Sequence, residues 1–499
     1  MTVLNDLPET LIETILLHAA DRVAGARENY VLGHISRRWR HVALNCNDLW
    51  SLVVANNHTS SKDSLRTQLS RSGSAPLDLR LTQVNAEHSV LRRFLADDED
   101  EHILMDRPGV INLILREIPR ARSLDLSLWQ DSYASYADLL SEPFPGLETL
   151  RLHLPGSNAF AAARETLRPI FRTLPALHTL KVEGFTSEFS LGLILPFHIL
   201  TSLTIHVPHG SPMNDPGLTC ETLLDALQWM QKLEHLDLSS HVLPLIIPDS
   251  ARRIRTVVDR RSLKTLCLSG DVPQVNWLLS HLRLSPSINM DLALFDQLLV
   301  DPGDFNILGS LLSAVFYPAS HRRQPRMTSL SHAACIYTPS EANLMPASTS
   351  LPAIYHLILS EDVGVVKSSF EHAGKVPSYV WSDWSDLEWT LQFARERGPT
   401  RDQRRTLQIR MLESLAESNT RPDEGFESIW SQLHLNEVHT LCLHGVPLYG
   451  DPHQETLQSI FIKFVSSMSS VQNTALRGWD AYWEGKLTAI LRSRLRYSV

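Results

Sequence analysis

Cysteine is scarce in this 499-residue chain. The five that occur, Cys46, Cys220, Cys267, Cys335 and Cys442, stand more than forty residues apart. No CxxC pair exists, so no structural zinc site is expected, and an odd, scattered set argues against a disulfide framework. Buried free thiols in a reducing compartment are the simpler reading. Basic charge is also short, with 46 Lys and Arg against 55 Asp and Glu and a net charge of −9. A chain built to follow phosphate backbones usually shows the opposite balance, so no nucleic-acid partner is expected. No run of about 18 apolar residues occurs, and MTVLNDLPETL has no basic start leading into an apolar stretch. Neither a membrane span nor a secretory signal is expected, and a cytoplasmic or nuclear protein is.

Catalytic signatures are missing as well. The sequence contains no Gly-rich phosphate loop, no HExxH, no GxSxG and no EF-hand loop. The 22 histidines are scattered, and His206 and His209 sit beside prolines and read as loop residues. The chain is expected to be neither an enzyme nor a holder of metal or cofactor. Apolar residues still make up 43% of the chain, ample for a core.

What is present begins at the N-terminus. In LNDLPETLIETILLHAA, Asp6 with Glu9 reads as a capping pair and Pro8 as a first-turn residue. Leu11, Ile12, Ile15 and Leu16 follow at helical spacing. A second helix is expected from Ala26 to Leu44, with Leu32, Ile35, Trp39, Val42 and Ala43 on one face and Arg37, Arg38, Arg40 and His41 mainly on the others. The arginines are therefore spatially separate from Trp39, which argues against a base-stacking platform. A third short element carries Leu49, Trp50, Leu52 and Val53. So few residues make a small core, and such a unit usually leans on a partner.

The segments LPETLIETIL, SRRWRHVAL and Leu49-Trp50 together resemble an F-box, over residues 4–54. RSGSAPLDLRL, residues 71–81, is similar to the segment that follows the F-box in many fungal members. Ser36 stands where the family often has cysteine, Leu16 where it often has phenylalanine, and DRVAGARENY lengthens the connection between helices. The resemblance implies a partner, a Skp-type adaptor, and through it a cullin–RING ubiquitin ligase. It implies that Leu7 and Pro8 insert into the adaptor, that Leu11, Ile12, Ile15 and Leu16 line the contact or the small core behind it, and that Trp50 serves either role. Ile35, Trp39 and Val42 then form the core of the domain. The competing reading is a helical cap on the rest of the chain, with no adaptor.

Downstream, a motif recurs with apolar residues at i, i+3 and i+5: LETLRLHL from Leu147, LHTLKVEG from Leu177, LTSLTIHV from Leu200, LEHLDLSS from Leu233, LKTLCLSG from Leu263 and VHTLCLHG from Val438. SLDLSLW near Leu124 and IYHLILSE from Ile354 are looser relatives. The central leucines Leu150, Leu180, Leu203, Leu236 and Leu266 lie 30, 23, 33 and 30 residues apart. That spacing is a leucine-rich-repeat-like signature on the long side, without the usual asparagine after the strand. Helical stretches such as 163–175 and 219–231 fall between.

The expected architecture is α/β. A small three-helix domain at 4–54 and a helical or extended linker at 55–110 precede a curved solenoid of short parallel strands and helices at 111–499, poorly defined between 300 and 435. The repeat region is expected to hold a protein target. Three further stretches read as surface or ordinary packing: the acidic run 96–102, a loop at 317–353 around weak strands, and a Trp-rich helix at 380–399 packing on the strand before it. The last residues, AILRSRLRY, read as an amphipathic end cap.

Overall fold

A computed structural model gives a mixed α/β protein with a large, mainly parallel sheet. It describes residues 7–22, 35–56, 61–82, 108–128, 135–140, 142–153, 174–183, 198–206, 219–239, 242–243, 257–295, 302–317, 332–338, 354–360, 406–412, 422–433, 440–444, 462–468, 470–471 and 473–477, with single positions 435, 438 and 489. The chain divides into two compact units, Met1–Ile205 with Ser211–Gly217, and His206–Gly210 with Leu218–Val499. Residues 163–173 of the helix expected at 163–175, the acidic run, the Trp-rich segment and nearly all of the last residues lie outside the described residues.

The first unit opens with helices α1 (Glu9–Arg22) and α2 (Arg37–Asn45) and a single 3-10 turn at Asn47–Trp50. Strand β1 (Leu52–Asn56), helix α3 (Lys62–Arg71) and strand β2 (Leu77–Thr82) follow. Next come α4 (Pro108–Leu115), β3 (Ala121–Ser127), the short α5 (Ala137–Leu140), β4 (Thr149–His153), β5 (Thr179–Glu183) and β6 (Ser202–His206). The strands lie in sequence order, and β1 to β5 pair in parallel. Alternation places one leucine file inside: Val53, Leu79, Leu124, Leu150 and Leu180 stand opposite one another in turn. All are buried. Burial of such side chains is worth roughly 1.5–3 kcal/mol each, which is why a file of leucines fixes the register.

Several of the strands are entered through a tight turn. Leu147 N–H bonds Phe144 C=O, Leu177 bonds Leu174, Leu233 bonds Met230 and Leu263 bonds Arg260. The next backbone N–H groups reach across to the entrance of the preceding strand: His178 to Glu148 C=O, Thr201 to His178 C=O and Lys264 to Glu234 C=O. Here backbone groups satisfy one another at successive strand entrances.

Strands β1 and β2 were not part of the repeat pattern, and the sheet starts at Leu52, inside the span read as a helical domain. The third element of that span is thus a 3-10 turn running into a strand. Helix α3 ends at Gly73, whose φ of +54° terminates it in the left-handed conformation that glycine tolerates best.

The second unit holds α6 (Cys220–Trp229), β7 (His235–Ser239), β8 (Val258–Arg260), β9 (Thr265–Asp271), α7 (Val272–Ser280), β10 (Leu282–Leu284), β11 (Asn289–Phe295), α8 (Pro302–Phe316), β12 (His332–Thr338), β13 (Ile354–Ser360), β14 (Thr406–Leu412), α9 (Pro422–Gln432), β15 (Thr440–His444) and β16 (Asn473–Arg477). Helix α6 matches the expected segment, and Thr219 and Thr222 close it with a reciprocal cap. Strands β8 and β10 form a separate parallel pair. The main order is β7-β9-β11-β14-β13-β12-β15-β16.

That order corrects the expectation of parallel strands throughout. After β11 the chain passes through α8 and enters the sheet three places away as β12. Strands β13 and β14 then return and fill the gap, with β13 antiparallel to both neighbours. The i, i+3, i+5 motif records which side chains face inward and carries no strand direction, so the reversal was invisible to it. Strand β11 escaped the pattern for a different reason. Met290 stands opposite Leu266, but Ile288 precedes it by two residues rather than three.

Candidate functional site

Helix α1 starts after Pro8, whose carbonyl accepts from Leu11 and Ile12 N–H at 3.0 and 3.1 Å. Pro8 therefore stands one position before the helix rather than in its first turn, and Asp6 lies outside the described residues. Of the second helix expected from Ala26, residues 26–34 lie outside the described residues. Ser36 is extended (φ −157°) and its hydroxyl accepts from Trp39 N–H at 3.3 Å, so the helix begins at Arg37. Leu32 lies outside the described residues.

The small core consists of Ile12, Leu16, Trp39, Val42, Ala43, Cys46, Leu49 and Trp50, with Leu7 and Leu17 packed at its margin. Steps of three and four residues align Trp39, Val42, Ala43 and Cys46 on one side of α2 and its C-cap. Arg37, Arg40 and His41 are exposed and Arg38 half-buried, which keeps the arginines off the tryptophan's side of the helix. Burial raises the pKa of the Cys46 thiol, so this cysteine is held in its unreactive form.

The structure sorts the four apolar residues of α1 into two files. Ile12 and Leu16 are fully buried, whereas Leu11 is 49% exposed and Ile15 42%. Pro8 is exposed. One expectation is corrected, and Trp50 is found in the core, one of its two expected places. Ile35, read as core, is 53% exposed because it precedes the cap residue and has left the helix. Trp50, read as a docking residue or core, is 2% exposed and donates its indole N–H to Ala43 C=O at 2.7 Å. The Arg71 guanidinium lies over its ring, 4.6 Å from the centroid. That contact and Gln68 Nε2 donating to Leu52 C=O tie α3 to the start of the sheet.

The second surface is the outward face of the first unit's sheet. The parallel register aligns Val54, Arg80, Asp125, Arg151 and Lys181 across five strands. Beside that row run Asn56, Thr82, Ser127, His153 and Glu183. Lys181 Nζ pairs with Glu183 at 2.7 Å, His153 approaches the same carboxylate at 3.5 Å, and Arg122 holds Asp78 at 2.9 Å. Burial pushes the Asp125 carboxyl above the ordinary range, against the pull of Arg151 and Arg80 on either side. His206, read as a loop residue, closes strand β6. His209 lies outside the described residues.

Among the described residues no group of three or more His, Cys, Asp or Glu side chains could hold a metal ion, and no helix is long and apolar enough to cross a membrane. No protein-family model matches the chain, and no curated protein matches it.

Proposed function

We propose that the chain is a substrate-recognition subunit of a Skp–cullin–F-box ubiquitin ligase. The N-terminal helices dock the Skp-type adaptor, and the sheet region presents a target protein. The subunit does no chemistry of its own and acts by raising the effective concentration of the target near the ligase. The observation that carries this reading is the split of α1. Leu11 and Ile15 stay open to solvent on a helix whose other apolar file, Ile12 and Leu16, is fully buried. An apolar pair left out of a completed small core is surface available to a partner helix.

The test is co-purification of the full chain with a recombinant Skp-type adaptor, wild type against Leu11→Ser/Ile15→Ser. Both positions are exposed, so the variant keeps its fold and loses the adaptor. Failure of the wild type to bind, or equal binding by the folded variant, removes the ligase reading. A second reading is supported by Arg71 stacking on Trp50 and by β1 beginning two residues after Trp50. On that reading the helices cap the sheet of an interaction scaffold. It predicts that removing residues 1–50 lowers the melting temperature of what remains and that no adaptor is bound by the intact chain.

A further inference from the structure

We infer that the row Arg80, Arg151 and Lys181, on the outward face of the first unit's sheet, docks an acidic, extended segment of a partner protein. The inference rests on the proposal that the sheet region presents a target, and it names that target's chemistry.

Three observations converge. Arg80 and Arg151 are both exposed, and among the described residues neither forms a hydrogen bond or close ion pair. Asp125 stands between them in the register, within range of both charges. Their spacing is set by the sheet: two strand steps separate them, about 10 Å, and Lys181 lies one step further, about 14 Å from Arg80. An extended peptide repeats its same-side residues at about 7 and 14 Å, within reach of long arginine side chains. Carboxylates two and four residues apart would meet the row in sequence.

The residue types fit the same occupant. A guanidinium offers a planar pair of donors matched to a carboxylate, and an unpaired one on an open face is ready to make that contact. Val54, 37% exposed, continues the row on β1 and gives it an apolar end. The carboxylates interspersed on this face, Asp78, Asp125 and Glu183, disfavour a polyphosphate backbone, which needs a continuous basic field. The row also runs against the chain's net charge of −9, so it is not a sample of a generally basic surface.

The experiment measures fluorescence anisotropy of a dye-labelled octapeptide of alternating glutamate and serine, titrated with the full chain. The wild type is expected to bind saturably and more weakly as salt rises. Arg80→Gln/Arg151→Gln should weaken binding about ten-fold. Arg66→Gln/Arg261→Gln, which removes two exposed arginines elsewhere, should leave it unchanged. Thermal melts establish that both variants fold. The inference is overturned by absent saturable binding, by equal loss in the two variants, or by tighter binding of a single-stranded oligonucleotide of equal charge. The adaptor co-purification reports separately. Adaptor binding with no peptide binding removes this inference alone, and the converse removes the ligase reading alone.

Discussion

The indole N–H of Trp50 donates to the backbone carbonyl of Ala43 across a distance of 2.7 Å, inside the small core formed by the first two helices. Ala43 is the last buried residue of α2, and Trp50 ends the 3-10 turn that follows. One side chain thus closes the corner between the helices and the first strand.

Trp50→Phe keeps most of that apolar volume and removes the donor. The orphaned carbonyl should cost about 1–3 kcal/mol, and Trp50→Ala about 3–5 kcal/mol through the cavity it leaves. Hydrogen exchange of the α2 amides measures both. Unchanged protection in Trp50→Phe would show that the bond contributes nothing.

Ser36 sets where α2 begins. Ser36→Ala removes the acceptor for Trp39 N–H and should destabilise the helix by about 1 kcal/mol, whereas Ser36→Asp should preserve it. Faster exchange of the first-turn amides in the alanine variant, and not in the aspartate variant, is the expected pattern.

Asp125 carries the pH dependence. Its folded pKa is raised above the ordinary 3.8 by burial, so ionisation opposes folding. Between 3.8 and the higher folded value the native state binds more protons than the unfolded chain. Stability from this group is therefore complete below 3.8 and falls as pH rises through the folded pKa. Asp125→Asn should be more stable than wild type at neutral pH, and the difference should vanish in acid. Urea midpoints across that window test the sign, and a less stable Asn variant at neutral pH would refute it.

Arg260 is 5% exposed, yet among the described residues only Nη1 is satisfied, by the Asp259 carbonyl at 2.7 Å. Its Nε and Nη2 have no acceptor among the described residues, and burial lowers its pKa. A buried charge without a hydrogen-bonding counterion costs more than an apolar chain of similar length. Arg260→Met should raise the melting temperature. A fall would mean that the guanidinium has an acceptor in solution.

The strand cores were legible because burial on one side of a pleated strand writes itself as alternation. Leu150 and Leu180, or Leu236 and Leu266, were matched by pattern and stand opposite each other in the sheet. Strand β2 shows a limit of the same signal. LDLRL alternates correctly but lacks the leading leucine three residues before, so it did not register as a repeat. The candidate docking helix was legible as amphipathic and no further. A stripe of four apolar residues does not say which two the core will take.

By itself the sequence determined which residues turn inward, where the short strands recur, and that Trp39 and the neighbouring arginines face different ways. These follow from periodicities of 2 and 3.6 residues, which are local. Only the tertiary structure decided that Ile35 is outside and Trp50 inside, that β13 runs against its neighbours, and that Arg80, Asp125 and Arg151 share one row. Those outcomes depend on where the chain returns after tens of residues. Packing and backbone pairing decide that, and no local period records it.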